Sequence, residues 1–267
     1  MAASFETLLD ALDLGLFQTI PSQLSDADKR ALLAVQKGVR SGKEAYTFLE
    51  IGSHLGGSIQ PHLQDPRCTR IYSIDPRPET VADDRGETIL YPKNSSAHML
   101  DLLRGVQPDR LERITVFDSD ARDVPVAAID PRPDICFIDG EHTDRAAWSD
   151  YSFCRPLLAE NGVIVFHDAN IIYMTLARIL KDLEAAKVPH TAYVLPSAVF
   201  VIEFGNSALH ETEDIRRLLR GNAEAYLYGM ESMEHYRTVY NRPAIKLIRD
   251  LYRRYAAVRR SLSRKGS

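Results

Sequence analysis

Cysteine is scarce and unpatterned in this chain of 267 residues: Cys68, Cys136 and Cys154 are the three present, and no two form a Cys-x-x-Cys pair. An odd, unspaced set argues against a disulfide framework and against a structural zinc site, so these read as reduced structural thiols. Long apolar runs are missing too. Nothing approaches the roughly 20 residues that a bilayer requires, and the opening stretch MAASFETLLDALDLG has acids where a secretory leader has bases. The expectation is a cytoplasmic protein with no transmembrane segment. Internal repeats and low-complexity tracts are absent. Basic charge is thin outside one place: the net charge is −4, yet the segment 242–265 holds nine Lys or Arg against the single acid Asp250, leaving about −12 elsewhere. An acidic body disfavours general nucleic-acid binding.

What is present is an ordinary globular composition, 45% hydrophobic and 26% charged, with length enough for one large domain and additions. Residues 1–42 read as a helical lead-in. Phe5, Leu8, Leu9 and Leu12 have helical spacing, and a second run begins at Ser25 with acids early, bases late and Gly42 as a stop. From Tyr46 the pattern alternates short apolar runs with helix-length segments, as βαβ units do. Strands are expected at Tyr46–Ile51, Arg70–Ile74, Arg113–Phe117, Asp134–Ile138, Val163–Phe166, Ala192–Leu195 and Val199–Phe204. Only Pro196 to Ala198 separates the last two, so they should pair as a hairpin. The predicted fold is therefore α/β, a Rossmann-like doubly wound sheet of seven strands, mostly parallel with an antiparallel edge. The expected organisation is a helical extension over 1–42, a central domain over 43–205 and a second helical extension over 206–267.

The strongest local signal is YTFLEIGSHLGGS at Tyr46 to Ser58, where an apolar run ends in an acid and a glycine cluster. Gly52, Gly56 and Gly57 allow a tight turn against a ligand. Their spacing is neither the Gly-x-Gly-x-x-Gly of dinucleotide folds nor the lysine-bearing P-loop, which leaves S-adenosylmethionine as the nucleotide-type ligand. The other reading of such a turn is a plain strand-to-helix connection. In a doubly wound sheet ligands sit beyond the carboxyl ends of the strands, and here those ends are polar. Asp75 lies some twenty residues past the loop, where a carboxylate accepts from ribose hydroxyls. Asp120 and Ala121 fall at the adenine edge, with Asp118 a competitor for that place. An acidic rim suits a ligand that carries a sulfonium and no phosphate.

The succession Glu50 to Ser58, Tyr72 to Asp75, Asp118 to Ala121, Ile135 to His142 (ICFIDGEH) and Asn161 to Ala169 (NGVIVFHDA) resembles the class I S-adenosylmethionine-dependent methyltransferases. Within these it is similar to the small-molecule group of macrolide-sugar O-methyltransferases and cephalosporin-hydroxylase-like proteins. The resemblance spans about Tyr46 to Phe204 and neither helical end. It implies cofactor contacts from Glu50, Gly52, Ser53, Gly56, Ser58, Asp75, Asp120, Ala121 and Asp139. It also implies Asp139 as a magnesium ligand and His142 as general base, with Asp168 a second oxygen ligand. An imidazole titrates near working pH and can take a hydroxyl proton; the plainer role for His142 is to cap the following helix. His167, where several metal-dependent relatives carry an acid, is a poor magnesium ligand; either Glu141 or Asn170 completes the shell, or Asp168 binds substrate or holds His142 without any metal. The implied activity is transfer of a methyl group to a hydroxyl of a sugar, glycan or glycosylated small molecule. The alternatives are a phenol or polyketide hydroxyl as acceptor, or a hydroxylase-like or non-catalytic protein on the same fold.

Two further segments carry expectations. Pro76 to Pro92 is polar and proline-bearing, placed where a lid over the cofactor would lie, though an ordinary surface loop reads the same way. Trp148 and Tyr151, on the helix after His142, either face substrate or belong to the core, the commoner case for aromatics at helical spacing. Ala244, Ile248, Leu251, Tyr255, Val258 and Leu262 follow spacings of four and three, with Arg249, Arg253, Arg254, Arg259 and Arg260 filling the surface. This predicts one amphipathic helix that packs on the acidic body or on a second subunit. The sharper reading is peripheral contact of residues 242–265 with an anionic membrane or another polyanion.

Overall fold

The computed structural model describes residues 3–83 and 88–240 and, further on, 242–245, 247, 248 and 251. A lead-in of α1 (Phe5–Asp10), a 3-10 turn (Leu14–Phe17) and α2 (Asp26–Arg40) precedes the sheet. Ser25 starts α2 through a capping box: its hydroxyl accepts from the Asp28 amide, and the Asp28 carboxylate accepts from the Ser25 amide at 3.0 Å. Such a cap stabilises a helix by about 1 kcal/mol.

The sheet comprises β1 (Tyr46–Ile51), β2 (Cys68–Ile74), β5 (Ile114–Phe117), β6 (Ile135–Ile138), β7 (Val163–Phe166), β8 (His190–Val194) and β9 (Phe200–Phe204). Between them come α3 (Gln60–Gln64), the two-stranded ribbon β3 (Thr80–Ala82) and β4 (Thr88–Leu90), α4 (Ser96–Arg104), α5 (Asp144–Leu157) and α6 (Tyr173–Ala185); α7 (Glu213–Arg220) and α8 (Asn222–His235) follow. The strand order is β5-β2-β1-β6-β7-β9-β8, parallel through β7 and antiparallel beyond. Consecutive strands run outward from β1 to β5, and the chain then returns to place β6 on the other side of β1. That reversal opens a crevice at the carboxyl ends of β1 and β6.

Every residue of β1 and β6 is buried, as in a sheet covered on both faces. Alternation divides the core in two. Phe48, Phe137, Val163 and Val165 face α2 and the N-terminal segment, while Leu49, Ile51, Cys136, Ile138 and Phe166 face α5 and α6. The N-terminal residues Leu9, Leu16, Phe17 and Ile20 are fully or almost fully buried in the first of these cores. A buried polar chain reinforces that contact: the Tyr46 hydroxyl bonds His62 at 3.0 Å, and Arg40 bridges Asp65 and Glu6.

The structure departs from expectation in detail. The polar stretch after Asp75 contains the ribbon β3–β4, and β8 lies two residues earlier than its predicted start. Tyr151 is buried in the core on the α5 face with Trp148 half-buried against it, and the three cysteines are buried and unpaired. No helix of the described residues is long and apolar enough to cross a membrane. The predicted basic helix over 244–262 lies almost wholly outside the described residues.

Candidate active site

Parallel pairing brings Phe117, Ile74, Ile51, Ile138 and Phe166 into one register across five strands. The residues that follow them therefore stand in a row: Asp118, Asp75, Gly52, Asp139 and His167. Backbone bonds continue the ladder through this row, from Asp75 N to Phe117 O, Gly52 N to Ile74 O, Asp139 N to Ile51 O and His167 N to Ile138 O. A cavity of about 160 Å³ opens over it, bounded by the loop 52–58, by Pro21 to Leu24 from the lead-in, and by Val81 and Tyr91 from the ribbon segment.

The loop needs its glycines. Gly52 has φ of +92°, and a Cβ there would lie 2.1 Å from the Asp139 carbonyl oxygen, so only glycine lets β1 and β6 close together at this end. A Cβ on Gly57 would meet Ser22 at 2.5 Å, which fixes the loop against the lead-in.

Asp75 is 5% exposed. One carboxylate oxygen accepts from the His54 amide at 2.9 Å and the other from the Arg77 amide at 2.7 Å. Arg77 then folds over the same place, donating to the His54 carbonyl and, at 3.1 Å, to the Ser73 hydroxyl. These bonds pin the end of β2 to the glycine loop and leave further lone pairs on Asp75 for a ligand's hydroxyls. Glu50 is fully buried behind the loop; Ser58 donates to one of its oxygens, and the other has no hydrogen-bond partner among the described residues. Burial, with the negative charges of Asp139 and Asp75 adding to it and Ser58 opposing, pushes the Glu50 carboxyl up to about 8. Ser53 is buried and bonded to Ser73, Gly56 turns at φ +81°, and both support the loop.

Asp120 is placed at the β5 end but is already engaged. Its oxygens accept from the Arg122 amide at 3.0 Å, Nε at 2.9 Å and Nη2 at 2.8 Å. Ala121 is buried beside it and lines the cavity.

At the other end of the row, Asp139, His142, His167 and Asp168 converge. His142 Nε2 lies 3.1 Å from Asp168 and 3.6 Å from Asp139, and His167 Nδ1 lies 3.1 Å from Asp139 and 3.4 Å from Asp168. Burial favours neutral imidazole, but the carboxylates outweigh it: both histidines are raised from their ordinary value, His167 well above it. The same contacts overcome the burial of Asp139 and lower its carboxyl. Ligand atoms of Asp139, His142 and Asp168 lie within 4.8 Å of one another. Thr143, not His142, caps α5 by accepting from the Ala146 amide at 3.2 Å.

Three side chains at this site were not assigned a role on sequence. Asp28, on α2, reaches His167; Arg77 clamps Asp75; Asp150, on α5, is buried and lines the cavity. Each arrives by tertiary packing from an element whose own pattern is that of an ordinary helix or turn.

An acidic cleft with an unpartnered buried carboxyl and glycines at the points of closest approach fits a cationic nucleoside ligand. Residues 38–169 match the family model of a methyltransferase domain. The O-methyltransferase NovP is similar in fold, with 12% identity, a TM-score of 0.59, and coverage of 76% of this chain and 100% of that one. CalS11, described as a TDP-rhamnose 3'-O-methyltransferase of calicheamicin biosynthesis, has 15% identity, a TM-score of 0.50, and coverage of 76% and 92%. No curated protein matches the sequence. The chain thus carries a methyltransferase domain on the doubly wound fold of the class I S-adenosylmethionine-dependent methyltransferases.

Proposed function

We propose that the chain is an O-methyltransferase acting on a hydroxyl of a sugar, glycan or glycosylated small molecule, with His142 as general base. The observation that carries this reading is the juxtaposition of His142 with Asp168 and Asp139 at the cavity that also receives Asp75. S-adenosylmethionine, when bound, supplies a methyl carbon made electrophilic by its sulfonium. Asp75 is assigned to the ribose hydroxyls, Glu50 with Gly52, Ser53, Gly56 and Ser58 to the amino-acid end, and Asp120 with Ala121 to the base. His142, held through Nε2 by Asp168, takes the acceptor's proton on its free nitrogen as the acceptor oxygen bonds to the methyl carbon. S-adenosylhomocysteine, with the electron pair of the carbon–sulfur bond on its sulfur, would be the leaving group. The tyrosine and proline side chains of the ribbon segment help exclude water from this step.

Support for oxygen as the acceptor atom comes from the two fold relatives above, both described as O-methyltransferases. A lining rich in carboxylates suits a polyhydroxylated acceptor. Magnesium takes oxygen ligands, whereas this cluster offers two carboxylates and two imidazoles, a mixed set better suited to manganese or zinc. These residues do not make a magnesium site. Turnover to S-adenosylhomocysteine with nucleotide sugars, glycosides and plain phenols tests the reading. Glycosylated acceptors are expected to be methylated; turnover confined to phenols overturns the acceptor class.

A further inference from the structure

Past α8 the described helical residues leave an apolar stripe uncovered. Ala244, Leu247, Ile248 and Leu251 recur at the i, i+3, i+4, i+7 spacing of one helix face, and all four are exposed, Ile248 to 65%. Seven of the eleven large apolar side chains exposed among the described residues fall between Tyr226 and Leu251. Single exposed apolar residues need no explanation, whereas a continuous stripe marks an interaction surface. Through these residues the segment does not pack on its own acidic body.

Charge says what covers the stripe. Over 242–265 the sequence sets nine Lys or Arg against the single acid Asp250, so two such segments facing each other would bring like charges together. The rest of the chain, at about −12, attracts this segment in a second copy. Its other exposed large apolar side chains, however, are Leu90 on β4, Val126 in a 3-10 turn, and Tyr173 and Met174 on α6, three separate elements rather than one matching groove. A bilayer with anionic headgroups supplies both counterparts: an apolar layer for the stripe and negative charge for the flanking bases, whose long stems reach the headgroups. Tyr252 and Tyr255 continue the segment with a side chain favoured at membrane interfaces. We propose that residues 242–265 dock the protein on an anionic lipid surface, the apolar stripe entering the lipid and the bases lying among the headgroups. The docking depends on none of the residues assigned to the cofactor or to the chemistry.

The test is flotation of the full chain with vesicles of phosphatidylcholine alone and with vesicles of equimolar phosphatidylcholine and phosphatidylglycerol. The wild type should float with the mixed vesicles and not with the neutral ones, and its binding should weaken as salt is raised. A base close to an anionic surface is worth about fivefold in partition, so Arg253→Gln combined with Arg254→Gln should weaken binding roughly 25-fold. Ile248→Asp combined with Leu251→Asp, both at exposed positions, should abolish flotation while circular dichroism and the thermal midpoint stay unchanged. Flotation kept by the folded Ile248→Asp, Leu251→Asp variant overturns the proposal, as does equal binding of the wild type to both kinds of vesicle. A wild type that floats with neither also overturns it; if that chain is a dimer in solution which the Ile248→Asp, Leu251→Asp variant separates, a second copy covers the stripe instead.

Discussion

Asp28, in the first turn of α2, holds an oxygen 3.3 Å from Nε2 of His167, which follows β7. His167 turns its other ring nitrogen to Asp139 at 3.1 Å. The N-terminal helix thus supplies the outer counter-charge of the reacting cluster.

This pair has a pH signature. The folded His167 is raised above its ordinary value near 6.5, so its stabilisation is complete below about 6.5 and is lost as pH rises through the raised value. Asp28 is lowered, because His167, Ser25 and the Ala198 amide outweigh its burial; its contribution is present above about 4 and is lost as pH falls through the lowered value. Asp28→Asn should therefore cost about 1–3 kcal/mol between about pH 4 and 6.5 and progressively less in alkali. Thermal unfolding across that range checks it. A deficit independent of pH would assign Asp28 to helix capping alone.

Glu50 should give up a proton when the cofactor binds. With its carboxyl pushed up to about 8 it is mainly neutral at pH 7 in the free protein, and a cationic ligand favours the carboxylate. The measured enthalpy of S-adenosylmethionine binding should vary with the ionisation heat of the buffer, and Glu50→Gln should remove that variation. Equal variation in both proteins would place the proton elsewhere.

Because His142 is raised by Asp139 and Asp168 against the effect of burial, it must first lose its own proton to act as a base. The acid limb of kcat/KM should lie above about pH 6.5 and move down in Asp168→Asn. His142→Ala should lower kcat by about 10²–10⁴-fold while cofactor affinity is kept. An acid limb unmoved in Asp168→Asn would separate His142 from the chemistry.

How much of this could be read from the sequence follows from where each residue sits. β1 and β7 match their predicted bounds because they are short apolar runs buried on both faces. β8 is displaced because its register is set by β9, where His190 pairs with Phe204, and its own residues are only half-buried. The ribbon β3–β4 is three paired residues in a polar stretch, too short to leave a period. Asp75, Asp139, His142 and Asp168 were legible because each lies at or just past a strand end, and topology gathers strand ends. Asp28 and Asp150 lie on helices, where an acid reads as solvated surface until the packing is known.

The most direct test of the account is thermal unfolding of the wild-type chain and Asp75→Ala with and without S-adenosylhomocysteine. At about 100 times its dissociation constant the ligand should stabilise the wild type by roughly 2.7 kcal/mol. Asp75→Ala, folded but stripped of the carboxylate that joins β2 to the glycine loop, should show almost none of that shift. An equal shift in both proteins would contradict the placement of the cofactor over the row from Asp75 to Asp139, and with it the roles drawn from that row.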